Sequence, residues 1–231
     1  MQLLDVLRDC RVVDSESREN EISEIHNAYL KCYEGDEEGD EKKRMYHQKF
    51  LNSTIRWSSA LGNITHGAFI YHTFLADLLW DSSDHTSAIT HYAFAEKPEL
   101  INNKLATLMK RPTNADDDPN VLFAHSVLIM LTLENLRDAN SLLTMYKNHL
   151  VKTECVNVSK YVIFCVWLLE ISKKGKEAES LFQWLNKNFE AELRVNPGWA
   201  GFLTRIGKTF FEIKPAASMM NMLEQMLGGG M

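Results

Sequence analysis

The chain has 231 residues, 45% of them hydrophobic and 24% charged, with a formal net charge of -6. This length can bury a large core, as one elongated domain or two compact ones, in the balance usual for a soluble globular protein. The negative charge counts against a nucleic-acid binder that works by neutralising phosphates, because such domains are usually basic.

Asp5, Arg8 and Asp9 break up the short apolar start, which is not the pattern of a secretory signal. Apolar spacing predicts helices over 2–10, 19–33, 42–60, 66–80, 84–96 and 98–110, then 119–133, 135–150, 158–173, 175–189 and 197–212. Between the second and third runs Glu34-Gly-Asp-Glu-Glu-Gly-Asp-Glu41, followed by Lys42, Lys43 and Arg44. It reads as a solvated connector whose basic end opens the next helix, with electrostatic docking of a basic partner as the alternative. Ser83-Asp84, Pro98-Glu99, Asp118-Pro119 and Asn196-Pro197 are helix-start signals. The longest apolar run, 161–169, is too short to cross a bilayer.

Five prolines and 11 glycines fall mostly between the periodic segments, which favours an all-α fold. Short connections between helices of similar length predict antiparallel pairs, stacked as an α-solenoid of divergent repeats like tetratricopeptide repeats. The tetratricopeptide consensus itself is not met, and a compact bundle is the second choice. The expected division is a solenoid over 1–213 and a Met/Gly-rich tail over 214–231. In that tail, Met219 to Leu227 makes a short amphipathic stretch, either a frayed or disordered end or an adaptable methionine-lined contact.

The chemistry-bearing motifs are missing. There is no phosphate-cradling glycine loop, no dinucleotide fingerprint, no Gly-x-Ser-x-Gly and no His-Glu-x-x-His. His66/His72 and His85/His91 are each six residues apart, so neither pair shares a helix face as zinc ligands would. Asp116, Asp117 and Asp118 lack the spacing of a calcium loop and suit a helix start. Cys10, Cys32, Cys155 and Cys165 are far apart, without a Cys-x-x-Cys, and are expected to be reduced, buried thiols of a cytosolic protein. No metal site, cofactor or catalytic group is expected.

The aromatic residues carry the remaining signal. Trp199, Phe202, Ile206 and Phe210 form a helical stripe interrupted by Gly198, Gly201 and Gly207, which suggests close helix approach or fraying. Tyr161, Phe164, Trp167 and Leu168 line one face, and Leu181, Trp184 and Leu185 follow in the next helix. A terminal repeat must carry a polar cap or be covered, and this one is too apolar for a cap. Tyr161, Phe164, Trp167, Trp184, Trp199, Phe202 and Phe210 are therefore the candidate lining of a partner groove, with some of them expected in the core.

Four segments, in order, resemble the Golgi-to-ER traffic protein 4 family, a subunit of the transmembrane-domain recognition complex. They are Ile55-Arg-Trp-Ser-Ser59; His72 to Trp80 with His91 to Phe94; Asp118 to Leu128 with Leu133 to Asn140; and Phe202 to Phe211 with the Met/Leu/Gly tail. The resemblance implies a non-enzymatic cytosolic α-solenoid adaptor in the delivery of tail-anchored membrane proteins to the endoplasmic reticulum. It implies a C-terminal partner, either the ubiquitin-like Golgi-to-ER traffic protein 5 or a BAG-type chaperone scaffold. It also implies that N-terminal helices engage a targeting ATPase. Family members have further helical pairs before the segment matching Leu3 onward, so the ATPase-docking face is expected to be missing or shortened here. The runner-up is a helical-repeat structural subunit of a large complex, disfavoured because no strand signals of a winged-helix module follow Trp199. An enzyme comes third.

Overall fold

The computed structural model describes residues 15–32, 40–61, 65–110, 117–152, 158–194 and 196–214. These contain the helices α1 (Ser15–Cys32), α2 (Asp40–Ala60), α3 (Phe69–Asp81), α4 (His85–Phe94), α5 (Pro98–Leu108) and α6 (Pro119–Thr132). There follow α7 (Leu136–Lys152), α8 (Lys160–Ser172), a 3₁₀ turn (Gly175–Ala178), α9 (Glu179–Asn188), the short α10 (Glu190–Leu193) and α11 (Trp199–Phe211). The expected helix 2–10, most of the acidic run 34–41, the tail beyond Lys214, Cys10 and Cys155 lie outside the described residues. The chain divides into two compact units, Met1–Leu100 and Ile101–Met231.

In the first unit α1 packs on α2, α2 on α3 and α3 on α4. Ile22, Trp57 and Tyr71 form a buried cluster flanked by Phe50, Ile55 and Phe74. The Trp-Ser-Ser sequence at the end of α2 secures the turn into α3. Trp57 is core, the Ser58 hydroxyl accepts from the Ala68 amide at 2.9 Å, and the Ser59 hydroxyl donates to the Thr65 carbonyl at 2.8 Å. Gly67 has φ +96°, and a Cβ there would lie 2.7 Å from the Ile55 carbonyl oxygen, so only glycine fits. That turn is why α3 starts at Phe69 rather than at 66.

Two histidine pairs lie in this unit, the first buried and the second partly so. His26 Nδ1 is 2.9 Å from His47 Nε2, and His72 Nδ1 is 2.8 Å from His91 Nδ1. His26 also stacks on Phe74, with ring centroids 3.9 Å apart.

The second unit is organised around α6. Its sequence is apolar on every side, and a helix of that kind has to be buried all round. Leu122 to Thr132 is buried without a break, with α7, α8 and α11 packed against it. Asp118 caps its start, accepting from the Asn120 amide at 2.8 Å ahead of Pro119. α8 supplies Val162, Phe164, Cys165, Leu168 and Leu169 to the same core. Cys165 is fully buried, as expected, and burial pushes its thiol well above the ordinary range; Cys32 is exposed, contrary to expectation, because α1 ends in solvent there.

Three connections share one closing geometry. After α3, α4 and α6, Ser83, Glu96 and Glu134 take left-handed φ of 62°, 52° and 61°. The next amides, of Asp84, Lys97 and Asn135, then donate five residues back to Leu79, Tyr92 and Met130. This is the Schellman closure, here without glycine. It joins consecutive helices through three residues, and α3 with α4 and α6 with α7 pack directly.

Candidate partner-docking site

The 3₁₀ turn joins α8 to α9, and the two helices pack directly. α8 turns one side to the core and leaves Ile163 and Trp167 exposed on the other. α9 buries Phe182 and Leu185 and leaves Leu181 and Trp184 outside. Trp167 is 56% exposed and Trp184 58%, values that separate them from the buried Trp57 and Trp199. Between them runs a groove of about 380 Å³, floored by Ile171 and Leu185 and edged by Leu181, Glu170 and Lys174. On the other side of α8 a second apolar groove, about 400 Å³, is lined by Lys147, Leu150 and Val151 of α7 with Val162, Ile163 and Val166 of α8. Val166 and Trp167 are consecutive, so the two grooves flank a single stripe of α8.

Lysines rim this apolar face. Lys173 Nζ lies 2.6 Å from Glu170 Oε1, and that hydrogen bond, aided by the charges of Lys173, Lys147 and Lys174, holds the Glu170 carboxyl below its ordinary range. The ends of the helices are tied by Lys160–Glu192 and Lys176–Glu212 ion pairs, both 2.7 Å.

The seven aromatic residues singled out in the sequence do not share one surface. Trp167 and Trp184 meet at the groove. Trp199 is fully buried, its indole N–H donating to His125 Nδ1 at 3.0 Å. Phe164 is 2% exposed, its ring 5.5 Å from that of Phe189. Tyr161 is half-buried and stands edge-on to Trp199 at 6.0 Å, and Phe202 is half-buried 5.7 Å from His125. Phe210 is half-buried beside Phe211, which stacks on Phe182. A fully buried ring offers a partner no surface, so Trp199 and Phe164 belong to the core. The cause is α6, which is buried all round and is covered on one side by α11: Trp199 meets His125 there, while Phe211 turns to Phe182 of α9. α11 itself begins at Trp199. Asn196 accepts from the Gly198 amide at 3.0 Å within the preceding turn rather than capping the helix.

Sequence reasoning missed Ile163, Leu150, Val151 and Lys174. For Ile163 the signal was the exposed side of α8, which repeats at 163, 167 and 170 but mixes apolar with charged residues; Leu150 and Val151 at the end of α7 and Lys174 after α8 carried none. Among the described residues no group of three or more His, Cys, Asp or Glu could hold a metal ion, and no helix is long and apolar enough to cross a membrane. A larger concavity in the first unit, about 860 Å³, sets Met45, Leu78 and Leu79 among Lys42, Arg44, Glu41, Asp81 and Asp84, a more polar lining than that of the α8–α9 groove.

The family model described as Golgi to ER traffic protein 4 matches residues 1–230. The chain belongs to the Golgi to ER traffic protein 4 family. It is 24% identical over 191 residues to the Golgi to ER traffic protein 4 homolog of Dictyostelium discoideum, covering 79% of this chain and 58% of that one. It is 25% identical over 186 residues to Protein GET4 of Arabidopsis thaliana, covering 78% and 56%. The chain thus spans little more than half the length of these relatives. The crystal structure of C. therm. Get4 superposes with a TM-score of 0.63 at 23% identity, covering 96% of this chain and 73% of that one. That likeness shows the fold, an all-α solenoid.

Proposed function

We propose that this chain is a non-enzymatic cytosolic adaptor in the delivery of tail-anchored proteins to the endoplasmic reticulum. Its C-terminal helices dock a partner segment in the α8–α9 groove. The partner is the ubiquitin-like Golgi-to-ER traffic protein 5 or a BAG-type chaperone scaffold. Family membership supports the pathway. The observation that carries the docking surface is the exposure of Trp167 and Trp184 on either side of an apolar groove. Tryptophan is enriched at the anchor positions of interfaces, and an amphipathic helix laid between two such rings would bury both. Ile171 and Leu185 supply the apolar floor and Leu181 an apolar edge, while Lys174 favours an acidic flank on the partner. Tyr161, Phe202 and Phe210 belong to the proposal only as half-buried neighbours.

Hydrogen–deuterium exchange on the full chain, alone and with each purified partner, tests this reading. Slowed exchange over residues 163–185 is expected with one of the two partners. Protection confined to the first unit, or none with either partner, would overturn it.

A further inference from the structure

The groove has a candidate occupant within the chain itself. Residues 215–231 lie outside the described residues, and their sequence is suited to this site. Met219, Met222, Leu223, Met226 and Leu227 recur at i, i+3, i+4, i+7 and i+8, while Asn221, Glu224 and Gln225 fall opposite. Methionine side chains adapt to irregular apolar surfaces and make favourable contacts with aromatic rings, of which this groove presents two. Glu224 is the one ionisable side chain between 215 and 231, and the rim it would meet carries Lys174, with Glu170 already paired to Lys173.

The described chain also ends in the right place. The Lys176–Glu212 ion pair of 2.7 Å holds the last turn of α11 against the 3₁₀ turn, and a Cβ on Gly175 would stand 3.6 Å from the Phe210 carbonyl oxygen. Gly175 directly follows Lys174, which lines the groove. Residues 215–218 alone span roughly 13 Å when extended. A tether this short gives an effective concentration in the mM range, so an intrinsic Kd of about 1 mM is enough for half occupancy.

We propose that residues 219–227 fold back as an amphipathic helix onto the α8–α9 groove of the same chain. The tail then covers Trp167 and Trp184 and competes with the partner for them. This regulatory role rests on the docking reading above; the contact itself does not. An isolated helix of nine residues is unstable in water, so the segment becomes helical only when seated, and a tighter-binding partner segment displaces it.

The test uses the full chain with the photoreactive residue benzoylphenylalanine in place of Met222. Irradiation is expected to attach position 222 to residues between 167 and 185 of the same molecule, with a yield independent of protein concentration. Combining Trp167→Ala with Trp184→Ala is expected to lower that yield at least about tenfold. Attachment elsewhere, or a yield indifferent to the two substitutions, would overturn the proposal. A yield that rises with concentration would also overturn it, assigning the groove to a second copy. Failure here leaves the docking reading intact, because that reading is decided by partner protection of 163–185 and not by where position 222 attaches.

Discussion

Replacing Trp199 separates core from interface. Its indole is fully buried, and its N–H donates to His125 Nδ1 at 3.0 Å. Trp199→Phe keeps an aromatic ring but withdraws the donor from a buried nitrogen, which costs about 1–3 kcal/mol. For a domain of this size, about 1 kcal/mol lowers Tm by roughly 2–4 °C, so a fall of about 2–12 °C is expected. Trp199→Ala adds a cavity beneath α6, and its cost rises to about 3–5 kcal/mol. The assay is thermal unfolding followed by far-ultraviolet circular dichroism at pH 7, with near-ultraviolet spectra reporting the ring's environment. Unchanged midpoints for both variants, with partner binding lost, would refute the reasoning. They would make Trp199 the surface anchor that its stripe in the sequence suggests.

Acidification should destabilise the protein. Burial pushes His125 down to about 4 from its ordinary 6.5. His47 and His91 also fall to about 4, through burial and then the charges of His26 and His72. The unfolded chain therefore takes up these protons first, so stability is complete above about pH 6.5 and is lost as pH falls toward 4. His125 alone accounts for about 3 kcal/mol across that window, and melts at pH 7.5, 6, 5 and 4.5 should show midpoints falling steadily. A midpoint that holds or rises would refute this. Gly207→Ala should destabilise, since the new Cβ would lie 3.2 Å from Phe182 and 3.4 Å from Ile213. Gly201→Ala, with nothing within 4 Å, should raise stability by up to about 1 kcal/mol, and paired urea curves distinguish the two. Glu134→Gly should stabilise by about 1 kcal/mol, because a left-handed residue with a Cβ is strained; an unchanged urea midpoint would count against strain at that turn.

The helices were largely legible because they rest on local signals. Apolar periodicity and the Asp84 and Asp118 caps placed α3 to α8 within a few residues. The repeat was not legible. It lies in three left-handed turns at Ser83, Glu96 and Glu134, and none of these residues is the glycine that would announce such a turn. The histidine pairs were also hidden, since His26 and His47, or His72 and His91, meet only once neighbouring helices pack. At the site the aromatic residues were found but not sorted. A tryptophan at helical spacing looks the same whether it faces the core or solvent, and what sorts them is the apolar circumference of α6. It claims Trp199 from α11 and Phe164 from α8, and leaves Trp167 and Trp184 outside.

The central claim is that Trp167 and Trp184 anchor a partner without supporting the fold. Calorimetric titration of the purified ubiquitin-like or BAG-type partner into wild type and Trp184→Ala tests it, with a melting curve on each protein. The account expects affinity to fall by about 30-fold or more while stability stays within about 0.5 kcal/mol of wild type. Undiminished affinity, or a loss of binding accompanied by an equal loss of stability, would contradict it.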